Sequence, residues 1–100
     1  MTQPLQYEYY QHRDGGLYNV LQVDATSTVD GSSNVVYAHV WPFESKVWIR
    51  PAEEWTPDRF RHLSDIDEVK AIIAIPREEL QSVITRNRTE RKSKVSGHPG

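Results

Sequence analysis

Tyr7-Glu8-Tyr9-Tyr10-Gln11-His12-Arg13-Asp14-Gly15-Gly16-Leu17-Tyr18-Asn19-Val20-Leu21 decides the fold. Tyr7 to Gln11 is rich in aromatic residues, which suit a pleated strand better than a helix. Arg13-Asp14-Gly15-Gly16 interrupts it, and the paired glycines supply the positive φ angles of a tight hairpin turn. A returning strand, Leu17 to Thr26, follows. Leu17, Leu21, Val23 and Ala25 fall on one face, and Tyr18, Val20, Gln22 and Asp24 on the other.

Working outward, Ser27 to Ser33 forms the next break around Asp30-Gly31, a strong hairpin dipeptide. A third strand spans Asn34 to Trp41, with Val36, Ala38 and Val40 on one face and Val35, Tyr37, His39 and Trp41 on the other. Pro42 ends its ladder. A fourth strand, Lys46 to Arg50, is closed by Pro51, which lacks an N–H and restricts the residue before it. The period then changes. Asp65 caps a helix with Glu68 three residues on, and Ile66, Val69, Ile72 and Ile73 recur at helical spacing. Pro76 opens a second helix, Glu78 and Glu79 favour its positive end, and Leu80, Val83 and Ile84 form its apolar stripe.

The expected fold class is therefore α+β, with four or five strands and one or two C-terminal helices at about 65–74 and 76–92. Residues 5–60 form a small, strongly bent antiparallel sheet or an SH3-like β-barrel, and residues 61–92 a helical extension packed on it. Residues 1–4 are expected to be flexible and 93–100 a disordered tail.

One hundred residues suffice for a single core and exclude a catalytic domain joined to a separate substrate domain. With no cysteine there is no disulfide framework, Cys-ligated metal or thiol chemistry. No apolar run approaches the length that spans a bilayer, and Met1-Thr2-Gln3-Pro4 lacks the features of a signal peptide. The expectation is a cytoplasmic protein with no membrane partner. The net charge of −2 hides an asymmetry: residues 1–85 hold seven Lys/Arg against thirteen Asp/Glu, while residues 86–100 hold five against one.

Tyr10, His12, Gly15 and Tyr18 in the hairpin, the Val35-Val36-Tyr37 strand, and Trp48, Arg50 and Pro51 followed by the aromatic Trp55, stand in an order that resembles the bacterial and phage family catalogued as domain of unknown function 1653. The resemblance covers roughly residues 9–60. It implies a small β-barrel-like fold and no activity. The loop Trp41-Pro42-Phe43-Glu44-Ser45 departs from the pattern in lacking a glycine, and the helices after Phe60 lie outside it.

The residues show little catalytic chemistry. His12, His39, His62 and His98 have no paired helical spacing and no cysteine to complete a set, so no metal or cofactor is expected. His12 is read as bonding its ring to the turn backbone. With no nucleophile motif or phosphate loop, the chain is not expected to be an enzyme. Glu53, Glu54 and Asp58 are solvated, and Asp65, Asp67 and Glu68 serve a helix start.

Two candidate surfaces remain. Tyr18, Tyr37, His39, Trp41, Trp48 and Arg50 form an aromatic and polar set opposite the aliphatic positions Val36, Ala38, Val47 and Ile49. It either binds a protein or peptide, or packs beneath the C-terminal helices with Arg50 covering a ring. The basic set Arg86, Arg88, Arg91, Lys92 and Lys94 either neutralises nucleic-acid phosphates, assisted by the aromatic face, or complements a helix dipole in solvent. The leading expectation is a non-catalytic module that binds an unidentified protein or peptide, with nucleic-acid binding as the alternative.

Overall fold

The computed structural model describes residues 4–96, with side chains described up to Lys92. Five strands form one antiparallel sheet: β1 (Tyr9–His12), β2 (Leu17–Thr26), β3 (Ser33–Trp41), β4 (Val47–Pro51) and β5 (Phe60–Leu63). Two helices follow, α1 (Ile66–Ile73) and α2 (Arg77–Ser96), which makes the fold α+β as expected. The strand order is β4-β3-β2-β1-β5. The sheet is not closed, so of the two expected architectures it is the bent open sheet and not the barrel.

The sheet is nevertheless rolled. Tyr37 on β3 and Phe60 on β5 are three strands apart, roughly 14 Å in a flat sheet at the usual strand spacing. Their ring centroids lie 6.1 Å from each other. Register shifts in the β2–β3 ladder supply the bend, between Leu17 and Tyr18, Val20 and Gln22, and Gln22 and Ala25. Asp24, beside the last of these, takes a left-handed φ of 56°.

Adjacent residues of one strand serve two cores, as a period of two requires. Tyr10, Val20, Val35, Tyr37, Trp55 and Phe60 fill the inside of the curl. Leu17 and Leu63 face the other way and pack with Val69 and Ile72 of α1 and Leu80 and Ile84 of α2. The shifts also move side chains between these cores. Val23 packs with Val20 rather than with Leu17, and Trp41 sits opposite Leu17 in the helix-side core instead of beside Tyr37 and His39. Simple alternation could not foresee either displacement.

Four further expectations need correction. The sheet extends past Phe60 to Leu63, because β5 buries its two ends around exposed Arg61 and His62 and so shows no alternating pattern. Pro4 is buried rather than part of a flexible end, while residues 1–3 lie outside the described residues. The second helix continues to Ser96, so residues 93–96 belong to α2; residues 97–100 lie outside the described residues. In the first turn only Gly15 has a positive φ, 124°. At Gly16 the constraint is close packing instead: a Cβ there would come within 3.2 Å of the Tyr18 ring and 3.4 Å of His39.

The helix starts agree with the sequence. The Asp65 carboxylate accepts from the Asp67 N–H at 2.9 Å, capping α1. Ile66 and Ile73 remain exposed, so α1 buries only Val69 and Ile72.

Candidate functional site

The inner core is a cluster of rings. Trp55 and Phe60 stack face to face, 3.7 Å between centroids and 3° between planes. Tyr10 and Tyr37 meet Trp55 edge-on at 5.4 and 5.1 Å, and Tyr18 meets Tyr37 and His39 at 5.4 and 4.5 Å. Edge-to-face pairs place positive ring edges on negative faces, which adds to the area they bury. Tyr37 and His39 thus belong to the core, Tyr18 is half-buried, and Trp48 on β4 is exposed. The packing is not the one anticipated: Trp41, not Tyr37 or Trp48, lies beneath the helices, donating its indole N–H to the Ile75 carbonyl at 2.9 Å. The Arg77 guanidinium lies 5.0 Å from the Trp41 ring centre.

Arg50 covers Phe60, 5.6 Å above its ring. Its guanidinium donates to the Tyr37 hydroxyl at 3.3 Å and to Glu54 at 2.9 Å. Burial alone would depress the Arg50 pKa, but these two partners outweigh it and the pKa is raised. Burial pushes the Tyr18 hydroxyl up to about 12, with Tyr37 adding to the effect, so at neutral pH it carries its proton.

A cleft opens where this cluster meets α2. One cavity of about 310 Å³ is lined by Tyr18, Tyr37, Arg50, Arg88, Arg91 and Lys92, with His12 and Asp14 at its base. A second, of about 590 Å³, shares Tyr18, Tyr37, Arg50 and Arg88 and extends along His39, Phe43 and Trp48. The two form one trough. Of the aromatic set, Tyr18, Tyr37, His39, Trp48 and Arg50 converge there and Trp41 does not. Of the basic set, Arg88, Arg91 and Lys92 reach it. Arg86 lies instead in a shallow depression with Glu78, Gln81, Ser82 and Thr85, and the Lys94 side chain lies outside the described residues.

The first turn closes one end of this trough. The His12 ring accepts the Asp14 N–H through Nδ1 at 3.1 Å, the backbone bond read from the sequence. Burial lowers the His12 pKa to about 4; Asp14 opposes this, and Arg91, Arg13 and Arg50 reinforce it. The ring is therefore neutral at pH 7, and the 3.5 Å approach to the Asp14 carboxylate is not an ion pair there. Asp14 is only 4% exposed and is bound by the Arg91 guanidinium, while Asn87 donates to the Asp14 carbonyl at 3.0 Å. The basic end of α2 is thus partly anchored to a buried carboxylate, an arrangement neither sequence reading contained. His39 is also held below its usual pKa by burial, its Nε2 accepting the Phe43 N–H at 3.4 Å.

Trp55 and Phe60, the centre of the ring cluster, were not among the candidate residues; Trp55 follows the short 3-10 turn Ala52–Glu54 and Phe60 opens β5, a four-residue strand with no alternating pattern to mark it. Among the described residues no group of three or more His, Asp or Glu side chains is placed to hold a metal ion. No helix among them is long and apolar enough to cross a membrane. Neither a curated protein nor a solved structure gives a significant match. A family model does match, over residues 8–62, from the β1 side of the hairpin to β5 and including Tyr10, His12, Gly15, Tyr18, Trp48, Arg50 and Pro51. With more than half of its length so matched, and with the ordered residues forming one hairpin, one ring cluster and one Arg50 clamp, the chain belongs to the family described as protein of unknown function (DUF1653).

Proposed function

We propose that the protein is a non-catalytic binding module that takes an extended segment of a partner protein along β4. The observation that carries this reading is the exposure of an apolar edge strand. Among the described residues β4 pairs only with β3, and Val47, Trp48 and Ile49 are 59%, 45% and 64% exposed. Soluble proteins usually guard such edges with charges, bulges or prolines along the strand. Here Lys46 and Pro51 stand at its ends and the one charge within it, Arg50, is drawn inward to Tyr37 and Glu54, so the outward-facing positions Val47 and Ile49 carry no charge. Trp48 pairs with Tyr37 and so lies on the inner face, whereas Val47 and Ile49 pair with Ala38 and Val36 on the outer one. An added strand would satisfy the outward row of backbone groups and cover Val47 and Ile49 with alternate side chains. The cytoplasmic setting expected from the sequence accompanies this reading.

Selection from a random peptide library, followed by hydrogen exchange on the complex, tests it. Selected peptides are expected to protect the amides of residues 47–51 and to lose binding to Ile49→Asp. Peptides that protect another surface, or bind Ile49→Asp equally well, would refute it. Nucleic-acid binding is the second reading, favoured by Arg88 lying in the same trough as Tyr18 and Arg50. Against it, Asp14 neutralises Arg91, and Arg86 points away from the trough.

A further inference from the structure

We propose that the trough between the ring cluster and α2 is a binding site for a small planar anion, an aromatic body carrying a phosphate group, of the nucleoside monophosphate class. This does not depend on the reading of β4, which uses the outer face and free edge of the sheet.

Charge sets the ligand's sign. Arg50, Arg88, Arg91 and Lys92 line the inner cavity against a single carboxylate, Asp14, while His12 is neutral there. Asp14 is engaged by Arg91, and Arg50 is held by Glu54. Arg88 makes no hydrogen bond or ion pair among the described residues, so its guanidinium fork remains for an incoming anion. The Tyr18 hydroxyl, protonated at neutral pH, adds a neutral donor to the same wall.

Shape sets the rest of the ligand. The inner cavity of about 310 Å³ accommodates a phosphate and its first substituent, and continues past Arg88 into the outer part, where Trp48, with Lys46 over one side of its ring, and Phe43 offer partly exposed rings and the charges of Lys46 and Glu44 offset each other. A planar base stacked at that end is stabilised by the aromatic surface without base-specific hydrogen bonds. The anion sits at the α2 end and the ring at the β4 end.

Titration of the full chain with adenosine monophosphate, adenosine and inorganic phosphate, followed through the three Trp indole N–H signals by NMR, tests the assignment. Saturable binding of the monophosphate is expected to shift the Trp48 indole signal and leave that of Trp41 in place. Arg88→Glu, at an exposed position, is expected to weaken binding at least tenfold, and adenosine or phosphate alone to bind more weakly than the monophosphate. Ile49→Asp is expected to bind the monophosphate unchanged, which separates this result from the fate of the β4 reading. Absence of saturation at about 1 mM, equal binding by Arg88→Glu, or binding that occurs only with longer oligonucleotides would each overturn the proposal.

Discussion

Asp14, buried in the β1–β2 turn, and Arg91, 77 residues later in α2, form an ion pair that joins the two ends of the fold. With the Asn87 bond to the Asp14 carbonyl, it makes the turn and the last helix one packed unit.

Removing Arg91 leaves the Asp14 carboxylate buried without its cation. Arg91→Ala is expected to cost about 1–3 kcal/mol, toward the lower end because Arg91 itself is partly solvated. In a double-mutant cycle with Asp14→Asn, urea denaturation should show coupling between the two sites; strictly additive effects would show that the pair contributes nothing. A chain ending at Thr85 should melt earlier than the full chain for the same reason.

The neutral His12 makes stability depend on pH. Burial lowers its folded pKa to about 4 from 6.5, so between these values the unfolded chain holds more protons. The stabilisation is present above pH 6.5 and is lost as pH falls toward 4. His39 shifts in the same direction. Denaturation midpoints should drop across this window, by the equivalent of up to about 3 kcal/mol for a shift of this size. His12→Asn, which retains an acceptor for the Asp14 N–H, should flatten the curve. A wild-type profile already flat from pH 7 to 4 would contradict the assignment.

Three glycines should respond differently to alanine. Gly15, with its φ of 124°, is expected to lose about 1–3 kcal/mol through backbone strain. Gly16 should lose stability through collision with the Tyr18 and His39 rings, visible as altered ring resonances. Gly31, at φ 75° with open space around it, should cost only about 1 kcal/mol. Equal losses at all three, measured by chemical denaturation, would count against this division of roles.

The tryptophans should separate core from surface. Trp55→Ala, which removes the face of the Phe60 stack, is expected to cost about 3–5 kcal/mol. Trp48→Ala should cost far less, since its ring is largely exposed and Lys46 lies 4.6 Å over it. Comparable destabilisation of the two variants would place Trp48 in the core.

Much of this was legible from local signals. The hairpin, the first four strands, the Asp65 cap and the two helices each rest on a turn dipeptide, a proline or a period carried by neighbouring residues. Of the aromatic face, Tyr37 joined the inner core, with Tyr18 packed against it, largely because Trp55 and Phe60, distant in sequence, return to stack beneath it. Nothing local marks that return. The same holds for Asp14 and Arg91, each an ordinary surface charge by composition and paired only by the tertiary fold. Trp41 changed core because the β2–β3 register shifts, and a one-residue shift exchanges the faces that alternation assigns.

The second core has a consequence for the order in which the chain is made. Leu17, fully buried, and Leu63 are in place once the five strands have been synthesised, but their cover comes from α1 and α2 as far as Ile84. At ordinary elongation speeds the residues from Leu63 to Ile84 take about 1–4 s to add. Until α1 and α2 dock, the sheet therefore presents an uncovered apolar face beside the edge strand β4, the species most open to capture by a chaperone or a neighbouring chain.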